Sequence, residues 1–223
     1  MPSSTLDGGL STLQEDQRGR LLAGVADGLH AMAQPLTILR SSVAASVAPE
    51  FDAGRRQRYL EMSVQQIERL CGLFECLQDL VIAGQFEAEC APIELSALLA
   101  QVIGEQQPLL QASGIEFRAV LPDGPMSALG DAARTLEALL AGLKVAAALS
   151  ASGDIVELLA EIKNQFVELT VRSDRTHPRA LNSSERLTLS LAQANVLSQS
   201  GEFECAYDPF QLRLALPLQR PDP

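Results

Sequence analysis

The sequence predicts an α+β protein: a two-helix hairpin that doubles into a dimeric four-helix bundle, followed by an α/β sandwich. Three observations carry this. Apolar residues recur at 3- and 4-residue steps in two successive stretches before residue 82, the rhythm of helices packed on helices. After Cys90-Ala-Pro92 the pattern mixes long apolar helices with short alternating strands. The composition is 47% hydrophobic but only 4% aromatic, with no Trp, so the apolar content is largely Leu and Ala, which favours helices over a β-sandwich.

The opening Met1–Gln17 is polar and reads as a loose lead-in without the layout of a signal peptide. The first seam is Leu22, Val25, Leu29, Met32, Leu36, Leu39, Val43. Pro49 and Gly54 punctuate a loop, and the rhythm resumes as Leu60, Ser63, Ile67, Leu70, Phe74, Leu77, Val81. Two helices of matching length joined by a short loop form an antiparallel hairpin. Leu73, Leu80 and Ile82 widen the second helix's apolar face beyond what one hairpin covers, so a homodimer is expected. The hairpin domain is placed at residues 15–88.

The second domain is placed at residues 92–218. A helix is expected over Leu95–Leu110 with Gly114 as its stop, then a strand over Ile115–Val120 and a turn at Pro122–Pro125. An apolar helix over Asp131–Leu149 leads to strands at Ile155–Glu161 and Phe166–Val171. Ser183 or Ser184 caps a helix running to Ser200 with Gly201 as its stop, and Phe203–Ala206 with Leu212–Leu216 closes the chain as a hairpin. The sheet is expected to be largely antiparallel.

With 17 basic against 28 acidic residues the net charge is −11. No basic block is available for nucleic acid or for anionic lipid. No window of 18 uncharged apolar residues exists, so neither a membrane span nor a membrane partner is expected and the chain is placed in the cytoplasm. Cys71, Cys76, Cys90 and Cys205 lack framework spacing and are expected reduced, Cys71 and Cys76 as small core residues. His30 and His177 belong to no metal-ligand pattern, so no metal site is expected. His177, before Pro178 in a polar loop, reads as exposed.

His30 neighbours the seam residue Leu29 and so points to the helix flank. Asp27, Gln34, Thr37 and Ser41 share its face. An exposed imidazole with a free ring nitrogen is a competent phosphoryl acceptor, and Asp27 could orient the other nitrogen. Pro35, inside the heptad run, removes one helical hydrogen bond at a cost of roughly 3 kcal/mol.

His30-Ala-Met-Ala-Gln-Pro35-Leu36-Thr37 resembles the H-box of sensor histidine kinases, its Gln-Pro-Leu-Thr ending being similar to the subgroup that carries Asn-Gln-Pro-Leu-Thr. That resemblance implies a phosphoacceptor on a dimerising hairpin, followed by a GHKL-type ATP-binding α/β sandwich. The departures are specific. The acid that follows the histidine is Ala31, which cannot take a proton. Gly130-Asp131-Ala-Ala-Arg134 resembles the lead-in to the N-box, but the metal-binding asparagine falls on Val145 and the lysine on Ala148. The resemblance places Asp174 where the adenine-contacting acid is expected, without its glycines, and the Gly-Leu-Gly-Leu box reads Thr188-Leu-Ser-Leu191. Side chains at those glycine positions obstruct close approach of phosphates.

The expected function is therefore that of a phosphorelay histidine phosphotransferase, without ATP binding or autokinase activity and with no cofactor of its own. His30 is the phosphoacceptor and Gln34 and Asp27 assist it; Ala31, Ala33, Pro35, Thr37 and Arg40 form the partner-facing surface. The expected partners are response-regulator receiver domains, which supply magnesium, with a hybrid histidine kinase as a further candidate. The alternatives are a pseudo-histidine-kinase binding module that docks a response regulator, or a receiver phosphatase in which Gln34 positions water.

Overall fold

A computed structural model of the protein describes residues 6–48, 51–85, 88–174 and 179–219, and the chain divides into two compact units. The first holds the chain up to Val81 together with Asn182–Leu187. Its two long helices are α1 (Leu6–Ser46) and α2 (Ala53–Gln85). The backbone is helical from Leu6, where the sequence suggested a loose lead-in; Leu, Gln and Glu over Leu10–Gln17 are good helix formers. Asp52 caps α2 by accepting a hydrogen bond from the Arg55 amide at 2.8 Å. The helix α1 continues through Pro35 without ending there.

The buried residues of α1 are not the large apolar ones. Gly24, Gly28, Ala31, Pro35 and Ser42 form the buried stripe, at helical spacing. A Cβ on Gly28 would lie 2.4 Å from a Leu77 methyl, so α1 backbone approaches α2 closely there. On α2 the buried positions are Ser63, Leu73, Leu80 and Ala83. The predicted seam faces elsewhere: Leu22, Leu29, Leu36 and Val43 are exposed, while Val25, Met32 and Leu39 are half-buried. The outward row of α2 is Leu60, Val64, Ile67, Cys71 and Phe74. Cys71 is thus exposed and Cys76 half-buried, neither in the core as expected, because the small residues of α1 let the hairpin close on a different face.

The second unit comprises Ile82–Leu181 and the chain from Thr188. Its elements are β1 (Ala91–Glu94), α3 (Leu95–Ala112), β2 (Glu116–Val120), β3 (Ser127–Gly130), α4 (Ala132–Leu149), β4 (Ile155–Lys163) and β5 (Phe166–Asp174). These are followed by α5 (Ser183–Leu197), whose first turn belongs to the first unit, β6 (Glu202–Tyr207) and β7 (Phe210–Pro217). Five strands form one sheet in the order β2-β4-β5-β7-β6, parallel only between β2 and β4. Inward residues such as Val156, Leu158, Val167, Leu169, Leu212 and Leu214 pack in one core with Leu99, Val102, Leu139 and Leu143 of the helices. Charged side chains on these strands pair across the ladder instead. Arg172 meets Glu157, and Arg213 meets Glu168 at 3.1 Å and Glu204 at 2.6 Å. The guanidinium of Arg213 holds the Glu204 carboxyl below its usual range by hydrogen bond and charge.

Two small features depart from the sequence reading. β1 and β3 pair antiparallel as a separate two-stranded sheet that was not predicted. At the end of α5 the left-handed residue is Ser200 (φ 57°), not Gly201. Gly201 is needed for space, since a Cβ there would sit 2.8 Å from the Ala215 carbonyl oxygen. No helix among the described residues is long and apolar enough to cross a membrane.

Candidate functional site

His30 is exposed on α1, and Gln34, one turn later, is exposed beside it. Both line a cleft of about 380 Å³ within the first unit. The remaining walls are Ala31 and Ala33, Arg69 of α2, and Asn182, Ser183, Ser184 and Arg186 at the start of α5. Neither His30 nor Gln34 has a hydrogen bond among the described residues, so both present their polar atoms to the cleft or to solvent.

The start of α5 is fixed by a reciprocal cap. The Glu185 amide donates to Asn182 Oδ1 and the Asn182 amide donates to Glu185 Oε2, each at 2.9 Å. Asn182 is therefore the cap, and not Ser183 or Ser184. This fixes the first turn and places Arg186 on the cleft side, where its Nη2 donates to Ser183 Oγ at 2.9 Å. Arg186 Nε also donates to Asp27 Oδ1 at 2.8 Å. The carboxylate expected to orient His30 is thus engaged by a guanidinium, because a charge-assisted bond to Arg186 outcompetes a neutral imidazole N–H.

The other expected site residues separate by burial. Ala33, Thr37 and Arg40 are exposed and available to a partner, whereas Ala31 and Pro35 lie in the buried stripe, with Ala31 reaching the cleft only at its edge. Thr37 Oγ1 donates to the Ala33 carbonyl at 2.9 Å, and Ser41 Oγ donates in turn to the Thr37 carbonyl at 2.9 Å. Sequence reasoning missed Arg69 and Arg186. Arg69 is one of several arginines on α2 with nothing to distinguish it, and the Asp27–Arg186 pair joins residues 159 apart in the chain.

In the second unit, Asp131 caps α4, accepting from the Ala133 and Arg134 amides at 2.9 and 3.1 Å. Arg134 Nη1 donates to Ser198 Oγ at 2.6 Å. Gln199, buried, accepts from the Asp131 amide at 2.7 Å and from Thr135 Oγ1 at 3.1 Å. Val145 is 1% exposed within the apolar core, Ala148 is exposed, and Leu189 is buried. Asp174 ends β5, exposed. His177 lies outside the described residues. No group of three or more His, Cys, Asp or Glu among the described residues is arranged to hold a metal ion.

No family model matches the sequence. No curated protein matches it either. Solved structures do match the fold. The histidine kinase AdeS of Acinetobacter baumannii is 18% identical with a TM-score of 0.66, covering 86% of this chain and 98% of its own. A histidine kinase from Burkholderia phymatum is 21% identical with a TM-score of 0.52, over 86% and 98%. The histidine kinase ThkA, solved in complex with the response regulator protein TrrA, is 12% identical with a TM-score of 0.70, over 98% and 68%. The class of fold is therefore that of histidine-kinase catalytic regions, a helical hairpin with a mixed-sheet α+β unit. At these identities the likeness is one of fold alone.

Proposed function

We propose that the protein is a histidine phosphotransferase of a two-component phosphorelay, acting as a homodimer. The observation that carries this is an exposed His30 in a cleft on the hairpin of a histidine-kinase fold. The chain also carries a sandwich whose expected metal-binding position is the core residue Val145. A magnesium nucleotide does not fit such a residue set: Val145 offers no oxygen and is packed away from solvent. ATP is not bound, and the phosphoryl group comes from a partner.

The donor is a phosphorylated receiver domain, which brings its own acids and magnesium. The lone pair of the neutral His30 imidazole forms a P–N bond as the aspartyl P–O bond breaks, and the aspartate leaves as a carboxylate. The other ring nitrogen keeps its proton until solvent accepts it. No base is required on this chain, so Ala31 is no obstacle. Ala33, Thr37 and Arg40 meet the receiver. The apolar row of Leu22, Leu29, Leu36 and Val43 is covered by the second copy, completing four helices.

Incubation with a phosphorylated receiver should label His30, His30→Ala should abolish the label, and ATP alone should give none. Absence of label on the wild type with a panel of receivers would sink the proposal. The exposed Gln34 beside His30 favours one second reading, receiver phosphatase activity. It would be recognised by loss of receiver phosphate that survives His30→Ala and stops with Gln34→Ala.

A further inference from the structure

Besides His30, the charged walls of the cleft are both arginines, Arg69 and Arg186. Arg69 has no hydrogen bond or ion pair among the described residues, and Arg186 is held by Asp27 at 2.8 Å. A neutral histidine has no use for two guanidinium groups. A phosphoryl group bonded to it does, since it carries nearly two negative charges and three acceptor oxygens. The planar guanidinium fork is the side chain best matched to such oxygens.

We propose that this cleft is a phosphoryl-binding site in which Arg69 and Arg186 grip the group carried by His30, and that Arg186 exchanges Asp27 for it. The source of the group rests on the phosphotransfer reading above, whereas the anion chemistry of the cleft does not. Asp27 is the resting partner: it neutralises Arg186 while His30 is bare and yields when a dianion arrives. The pair is suited to exchange because its two side chains are 27% and 43% exposed, which screens their attraction. The cleft, at about 380 Å³, has ample room for the group. The helix end adds little, because its Glu185 amide is already taken by Asn182.

The test titrates inorganic phosphate into the full, unphosphorylated chain at fixed ionic strength. The His30 ring is followed by NMR in a His177→Gln background. A saturable shift is expected that chloride does not reproduce. Arg69→Gln and Arg186→Gln should each weaken it by about three- to tenfold, the worth of a charge-assisted bond in a half-exposed site. Asp27→Asn should tighten it, by releasing Arg186 from its competitor. No saturable shift, an arginine variant without effect, or an Asp27→Asn that does not tighten binding would each overturn the proposal.

A second arm phosphorylates His30 with a small phosphoramidate, whose P–N bond breaks with departure of ammonia as the bond to His30 forms. The phosphorylated chain should no longer bind phosphate, because its own group fills the cleft. Unchanged binding would assign the cleft to free phosphate and overturn the assignment to His30. Failure of relay from receivers, with both arms behaving as stated, would count against the phosphotransfer reading alone.

Discussion

Leu22, Leu29, Leu36 and Val43 recur every seven residues on α1 and are 60%, 62%, 52% and 47% exposed in the single chain. If a second copy covers this row, truncating one member far from His30 should weaken the dimer by an amount the exposure sets. Leu22→Ala is the chosen change. Burying a leucine completely is worth about 1.5–3 kcal/mol. Leu22 has 60% of its surface still to bury, or about 1–2 kcal/mol, most of which alanine forfeits. A two-fold dimer counts the loss twice, so the dissociation constant should rise by roughly 10- to 100-fold at 1.4 kcal/mol per decade. Sedimentation equilibrium over a concentration series measures this, with circular dichroism to confirm unchanged helicity. Leu129→Ala, at a leucine 41% exposed in the second unit, is the control and should leave the dimer intact. A dissociation constant for Leu22→Ala indistinguishable from wild type would refute the reasoning, as would a wild type that sediments as a monomer throughout.

Gln199→Ala should destabilise the second unit by about 2–4 kcal/mol in urea unfolding, because the Asp131 amide and the buried Thr135 hydroxyl lose their acceptor. A loss below about 1 kcal/mol would mean water replaces the amide. Burial pushes the Cys205 thiol from its ordinary 9.0 to about 11. At pH 8 about one thiol in a thousand is then ionised, against about one in ten at the ordinary value. Iodoacetamide should therefore modify Cys205 far more slowly than the exposed Cys90, the gap narrowing as pH rises towards 11. The sign for stability follows: the neutral thiol is compatible with the fold in full below pH 9.0, and that contribution is lost as pH rises through 11. Cys71, on the outward row between Ile67 and Phe74, should be slowed by dimerisation, and equal rates for Cys71 and Cys90 in the dimer would count against that face.

The long elements were legible because each is repetitive. Asp131–Leu149 is strongly apolar with an aspartate cap, and β4 and β5 alternate cleanly, so strands at 155–163 and 166–174 differ from expectation only at their ends. β1 and β3 escaped notice because each has four residues, too few for alternation to register, and one carries Pro92. The hairpin was legible as two helices, but not in its facing. The pattern of large side chains singles out Leu22 and Leu29, whereas a close approach to α2 is made at a residue without a side chain, Gly28 opposite Leu77. His30 and Gln34 stood out through neighbours along one helix. Arg69 and Arg186 did not, because bringing α2 and the start of α5 to the same cleft is tertiary information that no local pattern holds.

The burial of Ala31 joins the fold to the chemistry. It lies in the stripe of Gly24, Gly28 and Pro35, and only 9% of it is exposed. An acid at this position would carry its charge into a face with little room, and desolvation would disfavour the ionised form that a base must have. A buried position of this kind favours alanine, and alanine is compatible with the proposed transfer, which asks no base of this chain. The same economy extends to the sandwich. Val145 packs into the core, and Gln199 knits the Gly130-Asp131 turn to α5 through buried hydrogen bonds. Both positions are spent on packing, whereas the cleft at His30 keeps an exposed imidazole and two arginines.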